Sequence, residues 1–417
     1  MNLKKFLSAV SVGILFISLL TGFTSEAEAG EKSILSTDIM NLNVPTNVKI
    51  VGLGEASHGV SEYQKMKTEV FKSLVKNNKC RTFIIEGDFG GALKVDEYIN
   101  GGKGTAKDAV REIGFSIYCT KEMVDLVEWM KNYNQNAKEE EKLHFYGMDM
   151  QRFDNNKEYL FKMLDKVAPE LSNKYKLELA ILSDENIDLI KQEIAIKANE
   201  DITKLISEID SNKSKIISVV GKNEFEFARE CANTIKENID LRRFSNQYSN
   251  LRDKYMANKI NWFVEHENEN ESLVFINGHN GHIQKISVSG YKCMGEYLFE
   301  KYKDRYFTIG TDAKTTVFNS EGKDSYTIME IENSNDFTKQ LNDMNSNFYY
   351  FDFVKAENDK NLNQIIQNPQ TMSCLNVGLL PWQKTMRVFY TQTIIPEKAY
   401  NSMIIFDKVS PTTSYLI

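Results

Sequence analysis

The chain has 417 residues, 41% hydrophobic and 26% charged, with a formal net charge of -7. That balance suits a soluble globular protein of one large domain or two to three ordinary ones. It argues against nucleic acid or an anionic membrane as the main partner. Lys4 and Lys5 open the chain, an uncharged apolar run covers residues 6–23, and Ala27-Glu28-Ala29 follows. This is the order of a secretory signal, so residues 1–29 are expected to be a signal peptide and the protein to be exported. The alternative is an uncleaved anchor, since the run is about long enough to cross a bilayer.

A short apolar strand over residues 48–53 runs into Gly54-Glu55-Ala56-Ser57-His58-Gly59. Residues 61–78 then carry Tyr63, Met66, Val70, Phe71, Leu74 and Val75 at a nearly helical period. A second strand over 81–85 ends at Glu86-Gly87-Asp88, and a helix through Ala92, Val95, Tyr98 and Ile99 closes at Gly101-Gly102. Another helix is expected over 121–133. A third strand, 143–146, ends at Gly147-Met148-Asp149. Strand–helix alternation of this kind predicts an α/β fold, a parallel-rich sheet flanked by helices.

The texture changes after about residue 155. Residues 155–265 are rich in Lys, Glu, Asn and Ile, with helical periodicity and no convincing strand. No proline falls between Pro169 and Pro369, so long helices are unobstructed there. This stretch reads as a helical insertion or lid dividing the α/β core into 30–154 and 266–417. Strands resume at 273–276, ending at Asn277-Gly278-His279, and at 306–309, ending at Gly310-Thr311-Asp312. Later runs over 348–353 and 402–406 complete the sheet or form an appendage. The five cysteines (Cys80, Cys119, Cys231, Cys293 and Cys374) are odd in number, irregular in spacing and lack a C-x-x-C, so they are expected to be mostly buried free thiols.

The strand-like runs end in residues of catalytic type: Glu55 and His58, Glu86, Asp149, and His279 with His282. In an open parallel sheet, ligands bind beyond the carboxyl ends of the strands. Residues distant in sequence would therefore meet in one cleft. Such a set suits hydrolysis by an activated water: a neutral imidazole takes the proton, and a carboxylate fixes its tautomer. A second imidazole or a cation would stabilise the oxyanion. No G-x-S-x-G elbow supports a serine nucleophile. Taken singly, His58 could be a buried structural histidine, Glu86 a helix cap and Asp149 a turn residue. Glu55, His58, Glu86 and His279 with His282 could also bind zinc, although the spacing is not H-E-x-x-H and no cysteine accompanies them. His144 inside a strand and His266 in a charged turn read as structural.

At these residues the chain resembles the erythromycin esterase family. Gly54-Glu55-Ala56-Ser57-His58-Gly59 resembles its G-E-[AS]-[TS]-H-G motif, and Ile85-Glu86-Gly87-Asp88-Phe89 its second acidic motif. Trp129-Met130-Lys131-Asn132-Tyr133-Asn134 and Tyr146-Gly147-Met148-Asp149-Met150-Gln151 match two further blocks. Arg252-Asp253 with Met256 to Asn258 resembles R-D-x-x-M-x-x-N, and Gly278-His279-Asn280-Gly281-His282 resembles A-H-N-x-H. The resemblance implies a carboxylic ester hydrolase needing no metal or cofactor, acting on a small ester or lactone, in known cases a macrolide lactone. It maps the general base onto His58, conserved acids onto Glu55 and Glu86, and a second histidine pair onto His279 and His282. Lys67, Asp149 and Asp253 are expected, with His282, to contact the substrate. Ser57, Val60 and Gly278 depart mildly from the motifs. Some relatives are linked to polysaccharide biosynthesis, and the export signal differs from the resistance esterases, which act inside the cell. Two other functions compete: an extracellular binding or metal-holding protein using the same cleft, and an enzyme that modifies acyl groups on cell-surface carbohydrate.

Overall fold

The computed structural model describes residues 35–42, 44–266, 273–321, 326–375 and 378–415. The expected signal peptide lies outside them. No helix among the described residues is long and apolar enough to cross a membrane.

Eleven strands occur among the described residues: β1 (Leu35–Ser36), β2 (Ile50–Glu55), β3 (Thr82–Asp88), β4 (His144–Asp149), β5 (Val274–His279), β6 (Tyr306–Glu321), β7 (Tyr326–Glu332), β8 (Phe348–Asp352), β9 (Gln370–Ser373), β10 (Thr391–Ile394) and β11 (Ser402–Val409). Nine of them form one mostly parallel sheet in the order β1-β8-β11-β6-β2-β5-β3-β4, with β7 paired to β6. The run from β11 to β4 is parallel throughout, while β1, β7 and β8 add antiparallel pairings. The C-terminal stretch does both things expected of it: β8 and β11 extend the sheet, whereas β9 and β10 form a separate two-stranded pair. Strand β6 runs well past the expected four residues because β7 folds back along its second half.

Side chains alternate along each buried strand, and the two faces feed two cores. Val51, Leu53, Phe83, Ile85, Phe145 and Phe275 enter the first core, beneath α1 (Ser61–Asn78), α2 (Phe89–Ile99), α3 (Ala106–Arg111) and α4 (Lys121–Asn134). Ile50, Ile84, Tyr146, Met148, Val274 and Ile276 enter the second. That second face is covered by helices between β4 and β5: α5 (Asp154–Val167), α6 (Pro169–Glu178), α7 (Gln192–Ser211), α8 (Lys213–Val220), α9 (Lys222–Arg243) and α10 (Tyr248–His266). No strand interrupts this stretch among its described residues. These helices cover the sheet directly, with Phe227, Trp262 and Phe263 around Phe89 and Tyr146. His266 closes α10 and stacks on Trp262 at 5.1 Å, so it belongs to a helix end and not to the expected turn. Four of the five cysteines, Cys80, Cys119, Cys231 and Cys293, are buried.

Candidate active site

The parallel register sets the site. Gly54 pairs with Gly278 and Glu55 with His279, so β2 and β5 end side by side. Glu86 lies in β3 and Asp149 closes β4 on the neighbouring strands. Two glycines make the close approach feasible. A Cβ on Gly54 would lie 2.1 Å from the Asn280 carboxamide oxygen. Gly59 turns the chain at φ +73, a left-handed conformation favoured by glycine, and a Cβ there would meet the Asn319 carbonyl at 2.8 Å. That turn leads His58 back over the strand ends and into α1.

His58, Glu86, His279, His282 and Arg252 line a single cleft of about 390 Å³, together with Gln151, Arg152 and residues 115–117. The His58 and His279 rings are 5.5 Å apart, centroid to centroid, and His279 and His282 are 6.3 Å apart. The structure thus gathers Glu55, His58, Glu86, His279 and His282 from distant segments. Lys67, Asp149 and Asp253, expected at the substrate, sit one layer further back. All three are fully buried and do not line the cleft, and each is paired with an opposite charge or histidine behind it.

Two charge networks flank the cleft. On the α1 side, Glu55 Oε1 meets Lys67 Nζ at 2.6 Å and Glu55 Oε2 lies 3.4 Å from His58 Nδ1. The Gln64 carboxamide approaches the same carboxylate at 3.3–3.4 Å. Burial pushes the Glu55 carboxyl up, but Lys67 and His58 outweigh it and the net effect is a lowered pKa. Burial likewise lowers the Lys67 ammonium, with Glu55 opposing.

On the α10 side, Arg252 Nη2 meets Glu86 Oε1 at 2.7 Å and Asp149 Oδ2 at 2.5 Å. Arg252 Nη1 lies 3.2 Å from His282 Nε2. His282 Nδ1 is 2.7 Å from Asp253 Oδ1, which also accepts the Met294 N–H. Burial opposes the His282 imidazolium, yet Asp253 and Glu86 override it and raise its pKa to about 10. Burial would also raise Glu86, but His282 and Arg252 hold it well below the usual carboxylate range. His279 goes the other way: burial, then the neighbouring His58 and His282, depress it to about 3. Its Nδ1 accepts the Gly281 N–H at 3.2 Å, which leaves its proton on Nε2. One neutral imidazole and one imidazolium therefore stand on the same cleft wall. Among the described residues no group of three or more His, Cys, Asp or Glu side chains is arranged to hold a metal ion.

The erythromycin esterase family profile matches residues 75–409. The chain belongs to the erythromycin esterase family. It is 24% identical over 296 residues to the erythromycin esterase type II of Escherichia coli, covering 63% of this chain and 68% of that one. It is 23% identical over 393 residues to the putative hydrolase YbfO of Bacillus subtilis (strain 168), covering 86% and 85%. Among solved structures, a Bacillus cereus protein superposes with a TM-score of 0.76 at 22% identity, covering 88% of this chain and 90% of that one. A mutant of the erythromycin esterase EreC in its open conformation gives a TM-score of 0.64 at 16% identity, covering 88% and 92%. Membership supports a hydrolase of this family acting on a small-molecule substrate.

Sequence reasoning missed the cleft role of Arg252, although the dipeptide Arg252-Asp253 stood within a family block. An arginine beside an aspartate on a helix turns two adjacent side chains toward different partners, a signal legible only once the acids are placed. It met Gln151 only as the end of a family block and missed Arg152 and residues 115–117. Gln151 and Arg152 lie in a loop and residues 115–117 open a single 3-10 turn, too short to show periodicity, and only the folded chain brings them to the cleft.

Proposed function

We propose that this protein hydrolyses a carboxylic ester or lactone by a water that His58 activates, without a metal, after export through its N-terminal segment. The observation that supports this reading best is the chain Lys67–Glu55–His58 at the cleft edge. Lys67 keeps Glu55 ionised, and Glu55 faces Nδ1 of His58. A proton on Nδ1 leaves Nε2 as the basic nitrogen available to water. On the facing wall, Arg252 and the His282 imidazolium supply positive charge for the negative charge that develops on the carbonyl oxygen, with the neutral His279 ring beside them. Glu86 orients all three, accepting from the His279 backbone N–H at 2.8 Å and from Arg252, and lying 3.3 Å from His282.

Macrolide lactones are one substrate class that membership brings into view, and acylated carbohydrates at the cell surface are another. The test is a hydrolysis screen over macrolides, simple lactones and acylated sugars, run with and without a chelator. His58→Ala is expected to lose roughly a hundred-fold or more in rate while keeping its circular dichroism and melting temperature. A chelator is expected to change nothing. Full activity in His58→Ala against whatever substrate the wild type cleaves would remove His58 as the base.

A further inference from the structure

Three cations stand at or behind the cleft with a carboxylate at close range: Lys67 with Glu55, Arg252 with Glu86 and Asp149, and His282 with Asp253. Arg152 differs. It lies in the loop between β4 and α5 and lines the same cleft, half-buried. Its guanidinium rests over the Phe115 ring, 5.3 Å from the centroid. Gly114, at φ +89, makes room for its stem, since a Cβ there would lie 3.2 Å from Arg152 Cγ. Yet among the described residues no carboxylate forms an ion pair with it, and its buried Nε has no hydrogen-bond partner. Asp184 feels its charge only at longer range.

A fixed, half-desolvated arginine without a counter-ion is costly to cover. A neutral substrate closing over it would strip water from the guanidinium and offer only uncharged acceptors in return, and a cationic one would be repelled. A carboxylate would instead accept two parallel N–H bonds from the fork, and the ring beneath fixes the plane in which the fork is presented.

We propose that Arg152 is an anion subsite, and that the ester cleaved in this cleft carries a carboxylate on the part lying against residues 115–117. This rests on the esterase reading above and narrows it to anionic esters. The experiment is titration calorimetry in a His58→Ala background, so that binding is read whether or not turnover occurs. The probes are monomethyl glutarate, which carries one carboxylate, and dimethyl glutarate, its neutral counterpart of equal chain length. The anion is expected to bind at least about tenfold more tightly than the diester, the scale of one charge-assisted hydrogen-bond pair. Arg152→Gln should abolish that preference, while Arg152→Lys, which keeps the charge but not the fork, should retain part of it. Equal binding of the two probes, no binding of either, or an undiminished preference in a folded Arg152→Gln protein would each overturn the assignment. Loss of the esterase reading is registered separately, by hydrolysis with His58 intact.

Discussion

Replacing Asp253 by asparagine removes a charge while keeping an oxygen for the Met294 N–H and for His282 Nδ1. The rise of His282 from its ordinary 6.5 to about 10 amounts to ~5 kcal/mol of preference for the imidazolium. Asp253 and Glu86 share it. If Asp253 contributes as one buried charge-assisted hydrogen bond, ~2–3 kcal/mol, His282 in Asp253→Asn titrates near roughly 8. The sign of the stability change follows. A group whose folded pKa is raised stabilises fully below its unfolded value of 6.5 and loses that contribution as pH climbs through the folded value. The wild type is therefore expected to exceed the variant by ~2–3 kcal/mol below pH 8, with the gap closing between pH 8 and about 10. Long-range ¹H–¹⁵N imidazole spectra report the His282 titration, urea unfolding at several pH values reports the stability gap, and kcat/KM of the variant should fall above pH 8, before that of the wild type. A variant whose His282 still holds its proton to about pH 10 would refute the assignment of the imidazolium to Asp253.

Glu55→Gln leaves Lys67 as a buried charge without its partner and should cost ~3–5 kcal/mol in urea unfolding. The double variant Glu55→Gln/Lys67→Met should recover much of that stability but not the hydrolysis rate, which separates the structural role of the pair from its effect on His58. Gly54→Ala forces the new methyl against the Asn280 carboxamide, which is pinned by two hydrogen bonds to the Thr311 backbone. It should lower stability by ~1–3 kcal/mol and lower kcat/KM with it, because Asn280 separates His279 from Gly281 and His282. An unchanged melting temperature would show that Asn280 yields freely.

The parallel core was readable because its strands announce themselves. Apolar runs such as 82–85 and 274–276 end in glycine next to an ionisable residue, and that coincidence places the acids and histidines on one rim. The extent of the strands was less readable. Glu55, Glu86, Asp149 and His279 are themselves strand residues, since the ladder continues through polar positions once neighbours supply hydrogen bonds. The burial of Lys67, Asp149 and Asp253 was not readable, for a physical reason. A charged side chain near a site suggests solvent and substrate, whereas each of these is buried against an opposite charge. Arg152 comes from a loop and residues 115–117 from the start of a single 3-10 turn, and the placement of both follows from tertiary packing and leaves no period in the sequence.

Arg252 and Asp253 are consecutive residues of α10, yet one grips two strands of the sheet and the other holds a histidine that follows a third. This dipeptide thus ties the helical stretch to three strands of the rim at once. Exchanging this stretch between relatives, in the hope of transplanting selectivity, would disconnect the acids on β3 and β4 unless the arginine and aspartate travel in the same helical phase. Chimaeras should therefore be joined so that the turn around residue 252 and the sheet it clasps come from the same parent.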